Sequence, residues 1–288
     1  MSLTPLQILA ASIELFLLVV GAWMLARALS FPQARQAIFG RNRISPWSLS
    51  GHEVVLLILA ICMCGLIGQG LAVNLFRAGI AESADHRGLE VVLFGFGFHA
   101  VALLGWPLFF LLRRMLHQNY GAGPPPMVPA RKLSPTSLVK HSVITLLLVL
   151  PTLTLISLGW TALLRAFDFP DAPQDLIEVF GNVQSPLVLA AMLIVACVIA
   201  PLNEELLFRG VIFRFCRQRF GRGIALVVSG VLFGALHGNL AGFVPLAVFG
   251  AALAIAYEQS GDLRVSIVAH ALFNFNTTML VLAGLPGV

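Results

Sequence analysis

Two adjacent carboxylates, Glu204 and Glu205, sit in the stretch Leu202-Asn203-Glu204-Glu205-Leu206-Leu207-Phe208-Arg209, directly after the apolar run 187–201 and before Val211-Ile212-Phe213. A carboxylate near the hydrocarbon core of a bilayer costs roughly 3 kcal/mol or more, so two in succession need partners or a purpose. Neighbours on a helix point about 100° apart, so the two glutamates face different surroundings, whereas Glu205 and Arg209 share a face and can form a salt bridge. Glu204 is left without a partner nearby in sequence, which is the situation of a general base that acts on water. Three more polar residues interrupt later apolar runs: His237, four residues after Phe233, and His270 with Asn274, again four apart and on one face. Each alone reads as an interior polar group holding helices together. Taken together they offer a glutamate to activate water, a histidine to share or relay its proton, and a His and Asn pair to stabilise a carbonyl oxyanion.

The elements that must position these residues are membrane helices. The chain has 288 residues, of which 58% are hydrophobic and 11% charged, with a mean hydropathy of +0.92; a soluble domain carries about 25% charge. Eight apolar stretches of spanning length recur at 6–26, 54–76, 91–112, 143–164, 187–215, 224–240, 243–257 and 265–285. The expected fold is therefore all-α, a polytopic membrane helix bundle of about eight transmembrane helices, with no room for a large soluble domain.

Charge placement tests that expectation separately, because cytoplasmic loops are enriched in Lys and Arg. One set of loops holds Arg27, Arg35, Arg41 and Arg43; Arg113, Arg114, Arg131, Lys132 and Lys140; Arg214, Arg217, Arg219 and Arg222; and Arg264. The other set keeps only Arg77, Arg87 and Arg165, and is acidic at Glu82, Asp85, Glu90, Asp168, Asp171, Asp175 and Glu178. Both termini are accordingly expected on the extracytoplasmic side of a multi-pass protein of a cell membrane, of the prokaryotic cytoplasmic type. The basic residues are divided among loops without interleaved aromatics, which excludes nucleic acid as the reason for the pI of about 9.5.

Two composition breaks divide the chain. The stretch 121–135, centred on Pro124-Pro125-Pro126, reads as a proline-rich cytoplasmic linker. The domains expected are an N-terminal three-helix transmembrane region at 1–120, the linker at 121–140 and a chemistry-bearing domain at 141–288. The stretch 167–186 is an acidic, proline-punctuated outer loop, with a short interfacial helix expected at 171–180. Ala26-Arg27-Ala28 mimics a signal-peptide cleavage site, but residues 1–13 carry no Lys or Arg and Glu14 interrupts the apolar run, so an uncleaved first span is expected. Cys62, Cys64, Cys197 and Cys216 fall within or beside spans and read as packing residues. His99, among Gly95 and Gly97, reads as packing glue between helices, and Glu14 as a residue that either reaches the membrane interface or pairs with another helix. Asn239 lies near His237 without belonging to a motif.

Glu-Glu-x-x-x-Arg at Glu204, Glu205 and Arg209, Phe-x-x-x-His at Phe233 and His237, and His-x-x-x-Asn at His270 and Asn274, in this order on successive helices, resemble the CPBP family of intramembrane proteases, which includes the type II CAAX prenyl endopeptidases and bacterial Abi proteins. The resemblance covers about the last 100 residues of the chain. It implies hydrolysis of a peptide bond of a membrane-associated or lipidated peptide or protein, in a membrane cavity open to the cytoplasm. Carried over, Glu204 would activate water, His237 would help to hold it, His270 and Asn274 would form the oxyanion site, and Glu205, Arg209 and Phe233 would orient the helices. A metal-free, glutamate-type reaction is adopted; a zinc reading would take Glu204, His237 and His270 as ligands. The partners implied are the lipid bilayer and a membrane-associated peptide or protein substrate. Two other classes stay open: a proton-coupled transporter, since carriers also use intramembrane carboxylates and histidines, and a non-catalytic membrane scaffold of the same fold.

Overall fold

A computed structural model describes residues 3–40, 42–45, 49–81, 84–119, 131–172 and 175–285. The regular structure of the described residues is helical, without strands: α1 (Pro5–Ser30), α2 (Pro32–Phe39), α3 (Gly51–Ala81), α4 (His86–Ala102), α5 (Gly105–Asn119), α6 (Pro135–Ala166), α7 (Asp175–Asn182), α8 (Pro186–Ile194), a π-helical turn Val195–Ile199, α9 (Ala200–Glu205), a second π-helical stretch Leu206–Phe213, α10 (Arg214–Leu236), α11 (Leu240–Ser260) and α12 (Leu263–Leu282). Seven stretches among these residues are long and apolar enough to cross a membrane. One of them, Pro186–Leu236, doubles back at Gly221, whose φ of 83° is accessible to glycine. Beyond that turn Ser229 Oγ donates to the Phe208 carbonyl at 3.4 Å and Phe233 packs edge-on against Phe208. The stretch thus supplies two crossings, and the protein is an all-α polytopic bundle. Its outer surface is apolar, with Leu155 and Leu187 71% and 79% exposed, as a lipid-facing surface requires.

Several boundaries differ from the sequence reading. The third crossing is two helices, α4 and α5, separated at Leu103 and Leu104. The sixth ends at Leu236, so His237 stands at a helix terminus, and the seventh begins at Leu240. The outer-loop helix spans Asp175–Asn182, after Pro170 and Pro173, which disfavour α geometry for the residue before each. The centre of the proline-rich linker, residues 120–130, lies outside the described residues; α6 begins at Pro135, capped by Ser134, so 135–140 are helical.

Contacts between distant loops define the two ends of the bundle. At one end Arg217 and Arg222 both hold the buried Glu258 at 2.6 Å, the Arg43 amide donates to the Glu258 carbonyl, and the Leu133 amide donates to Asp262 at 2.8 Å. Burial alone would raise the Asp262 carboxyl, but hydrogen bonds from Arg264 and the Leu133 amide outweigh it and hold the carboxyl below its ordinary range. At the other end the amides of Gln184 and Ser185 donate to Asp85 at 2.8 Å, and Asn239 Nδ2 donates to the Ala172 carbonyl at 3.0 Å. Between the two, Leu150, Leu153, Phe208, Phe233, Phe249, Leu253 and Phe273 form the core on which the site rests. Gly230 and Gly234 let α10 lie against α11; a Cβ at either would stand 2.5 Å from a carbonyl oxygen of α11.

Candidate active site

The two glutamates lie on a single α-helical segment, α9, between two π-helical stretches. Pro201 explains part of this geometry. In the first π turn the Ala200 N–H reaches back five residues to the Val195 carbonyl, and the next carbonyl in that pattern, Ala196, would need an N–H from residue 201. Proline has none. Asn274 Nδ2 donates to the Ala196 carbonyl instead, at 2.7 Å, and so ties α12 to the turn that precedes the glutamates.

Glu205 and Arg209 are both fully buried and paired at 2.6 Å. The guanidinium also donates to the Gly250 carbonyl at 2.8 Å and lies 4.6 Å over the face of Phe233. The same Glu205 oxygen, Oε1, also accepts from His270 Nδ1 at 3.0 Å, while Oε2 is buried without a hydrogen-bond partner. A carboxylate can only accept, so His270 carries its proton on Nδ1 and turns Nε2 the other way. That nitrogen faces Glu204, with Nε2 3.9 Å from Oε2. Phe233 supports the assembly, its ring meeting Arg209 as well as His237 at 4.7 Å and His270 at 5.6 Å. The Glu205, Arg209 and Phe233 positions thus brace the site from behind, and His270 joins the brace to the front.

Glu204, His237, His270 and Asn274 all line one cavity of about 580 Å³. Glu204 Oε2 is buried there without a hydrogen-bond partner in the protein. His237 is fixed in the same sense as His270: Nδ1 donates to the Phe233 carbonyl at 2.7 Å, which leaves Nε2 as the free ring nitrogen. The sequence reading took His99 as packing, but it lines the same cavity from α4. Its Nδ1 meets Nδ2 of the buried Asn203, next to Glu204, at 3.3 Å. No motif spacing links residues 99 and 203. Asn239 also lines the cavity while its Oδ1 caps α11. Glu14 lies apart, paired with Asn276 at 2.9 Å.

Among the described residues no group of three His, Cys, Asp or Glu side chains is gathered as metal ligands would be. The cavity extends beyond the level of the motif residues. Its walls climb from Glu204 and His270 to Arg165, Asp171 and Phe180, at the Asp85 end, opposite the arginine-rich Glu258 end.

Comparison with known proteins finds similarity over the segment that carries the motifs. Residues 186–276 match the family described as Type II CAAX prenyl endopeptidase Rce1-like. The resemblance carried by the three motifs holds over the segment that contains them. A protein of Bacillus subtilis (strain 168), described as "Putative membrane peptidase YdiL", is 30% identical over 83 residues, which cover 29% of this chain. The match spans about a third of that relative's length, 34%. No solved structure matches the chain.

Proposed function

We propose that this membrane protein is an intramembrane endopeptidase that hydrolyses a peptide bond of a membrane-associated peptide or protein with water activated by Glu204. The observation that carries the reading is the unpartnered Glu204 Oε2 on the cavity wall, 3.9 Å from His270 Nε2. In this reading Glu204 takes a proton from water as the water oxygen attacks the substrate carbonyl, with His237 Nε2 accepting a hydrogen bond from that water. The oxyanion that forms is met by Asn274, whose amide has a second N–H beyond the one given to Ala196, and by His270. Because His270 Nδ1–H is committed to Glu205, its Nε2 donates only in the doubly protonated form, for which Glu205 is the counter-ion. Collapse breaks the C–N bond, and the proton held by Glu204 passes to the leaving amine. The reaction is assigned to this glutamate without a metal. The Rce1-like segment is the catalytic domain, and residues 1–120 contribute His99 to its cavity wall.

The test is cleavage of membrane-anchored reporter peptides by detergent-purified protein, with and without a zinc chelator. Glu204→Gln is expected to lose at least a hundredfold in rate, as removal of a general base does, with unchanged thermal stability, and wild-type cleavage is expected to survive chelation. Full activity in Glu204→Gln would refute the assignment, and solute uptake lost in the same variant would favour a carrier.

A further inference from the structure

We infer that the cavity takes its substrate from the extracytoplasmic side of the membrane: a largely uncharged peptide segment at the outer face, not a cytoplasmic chain end. This rests on the peptidase reading for the nature of the occupant, and on geometry and charge for the side of entry.

The geometry is directional. On α12 the lining residues are His270, Asn274, Thr277 and Thr278, and Val281, one helical turn after another towards the helix end at Leu282. On α6 they are Leu153, Ser157, Thr161 and Arg165, again at one-turn intervals, towards the end at Ala166. Both ladders run from the level of the glutamates to the same end of the bundle, where Asp171 and Asn239 complete the mouth. Towards the other end, beyond Glu204 and His270, the interior is filled by Phe208 and Phe213 and locked by Arg217 and Arg222 on Glu258. A substrate cannot reach Glu204 from that side without displacing packed core.

The charges say which side is which. The closed end carries Arg43, Arg131, Lys132, Lys140, Arg214, Arg217, Arg219, Arg222 and Arg264. At the open end Arg87 is paired with Glu178, and Arg165 with Asp171. The Lys and Arg bias sets orientation, which puts the closed end in the cytoplasm and the mouth outside. The walls of the passage name the occupant. With Arg165 paired to Asp171, what lines the approach is hydroxyl and amide groups and apolar side chains. Thr277 Oγ1 is buried there without a partner in the protein. Such a passage suits the backbone polar groups and apolar side chains of an extended peptide rather than a charged solute.

Two measurements test this. Single cysteines are placed at Thr161 and Ser157 in the passage, at Glu178 on the open end and at Lys140 on the closed end, in a background with the four native cysteines replaced. They are then treated with a membrane-impermeant maleimide on spheroplasts. Thr161→Cys, Ser157→Cys and Glu178→Cys are expected to react from outside, and Lys140→Cys only after permeabilisation. Reaction of Lys140→Cys from outside would overturn the orientation, and protected passage cysteines beside a reactive Glu178→Cys would overturn the opening. If the cysteine-free background does not fold, the wild-type chain with subtraction of its own labelling gives the same comparison. Second, one cleavable segment is presented by membrane anchors either outside or inside. Cleavage of the outside reporter, lost in Glu204→Gln, is expected. Cleavage of the inside reporter alone would overturn the proposal and keep the peptidase reading. Cleavage of neither would overturn the peptidase reading and the peptide as occupant, while the labelling would still report the side of entry.

Discussion

Arg209→Ala removes one partner of a fully buried ion pair and leaves Glu205 charged in a site closed to water. Breaking such a pair from one side costs about 3–5 kcal/mol, because the remaining charge loses its counter-ion without regaining solvent. Arg209 also supplies a hydrogen bond to the Gly250 carbonyl and the cation over Phe233, so the upper part of that range is expected. At about 2–4 °C per kcal/mol for a chain of this size, the unfolding midpoint in detergent should fall by roughly 6–20 °C. Fluorescence-detected size exclusion after a heat step measures it. The double variant Glu205→Gln with Arg209→Met should recover much of the loss, since no uncompensated charge remains. It should nevertheless cleave more slowly, because the imidazolium that donates from His270 Nε2 has lost its counter-ion, Glu205. An Arg209→Ala midpoint within about 2 °C of wild type would refute the bracing role, and a fully active double variant would refute the counter-ion role of Glu205.

Asn274→Ala should cost stability as well as rate, since the Ala196 carbonyl loses its donor; about 1–3 kcal/mol is expected for that buried group, read from the same melting assay. Asn274→Asp should do no better, because a carboxylate cannot donate to either the carbonyl or an oxyanion. His99→Leu leaves Asn203 Nδ2 buried without an acceptor, again at about 1–3 kcal/mol; His99→Gln should restore stability, and cleavage should return with it if His99 acts only by holding Asn203. The Asp262 carboxyl lies below its ordinary value of 3.8 in the folded protein. The stability it contributes is therefore complete above pH 4 or so and is lost as pH falls through the lowered value. Proteolytic nicking near Leu133 should accelerate below about pH 4 in the wild type, and Asp262→Asn should show that faster nicking already at neutral pH.

Spacings of four made the local part of the site legible. On a helix Glu205 must share a face with Arg209, Phe233 with His237, and His270 with Asn274, and each pair acts on one side of its helix. Apolar length and arginine placement likewise made the number of crossings legible. Which of two adjacent glutamates would be taken by the brace was also readable, because only Glu205 is in register with an arginine. His99 was not readable. Its partner is 104 residues away and its neighbours, Phe98 and Gly97, are the same small and aromatic residues that serve ordinary helix packing.

Asn274 reads from the sequence either as an interior polar group holding helices together or, with His270, as an oxyanion donor. Pro201 identifies what it holds, because the carbonyl that proline leaves without a donor is the one Asn274 meets. A residue that fixes the π turn ahead of Glu204 and also faces the cavity cannot be replaced without moving both. Separating the two tasks requires variants at Pro201: Pro201→Ala returns a backbone N–H for Ala196, frees Asn274 and relaxes the turn. If the turn is what aims Glu204 at the cavity, Pro201→Ala should raise the melting midpoint while lowering the cleavage rate. A variant improved in both would show that the π geometry has no part in catalysis.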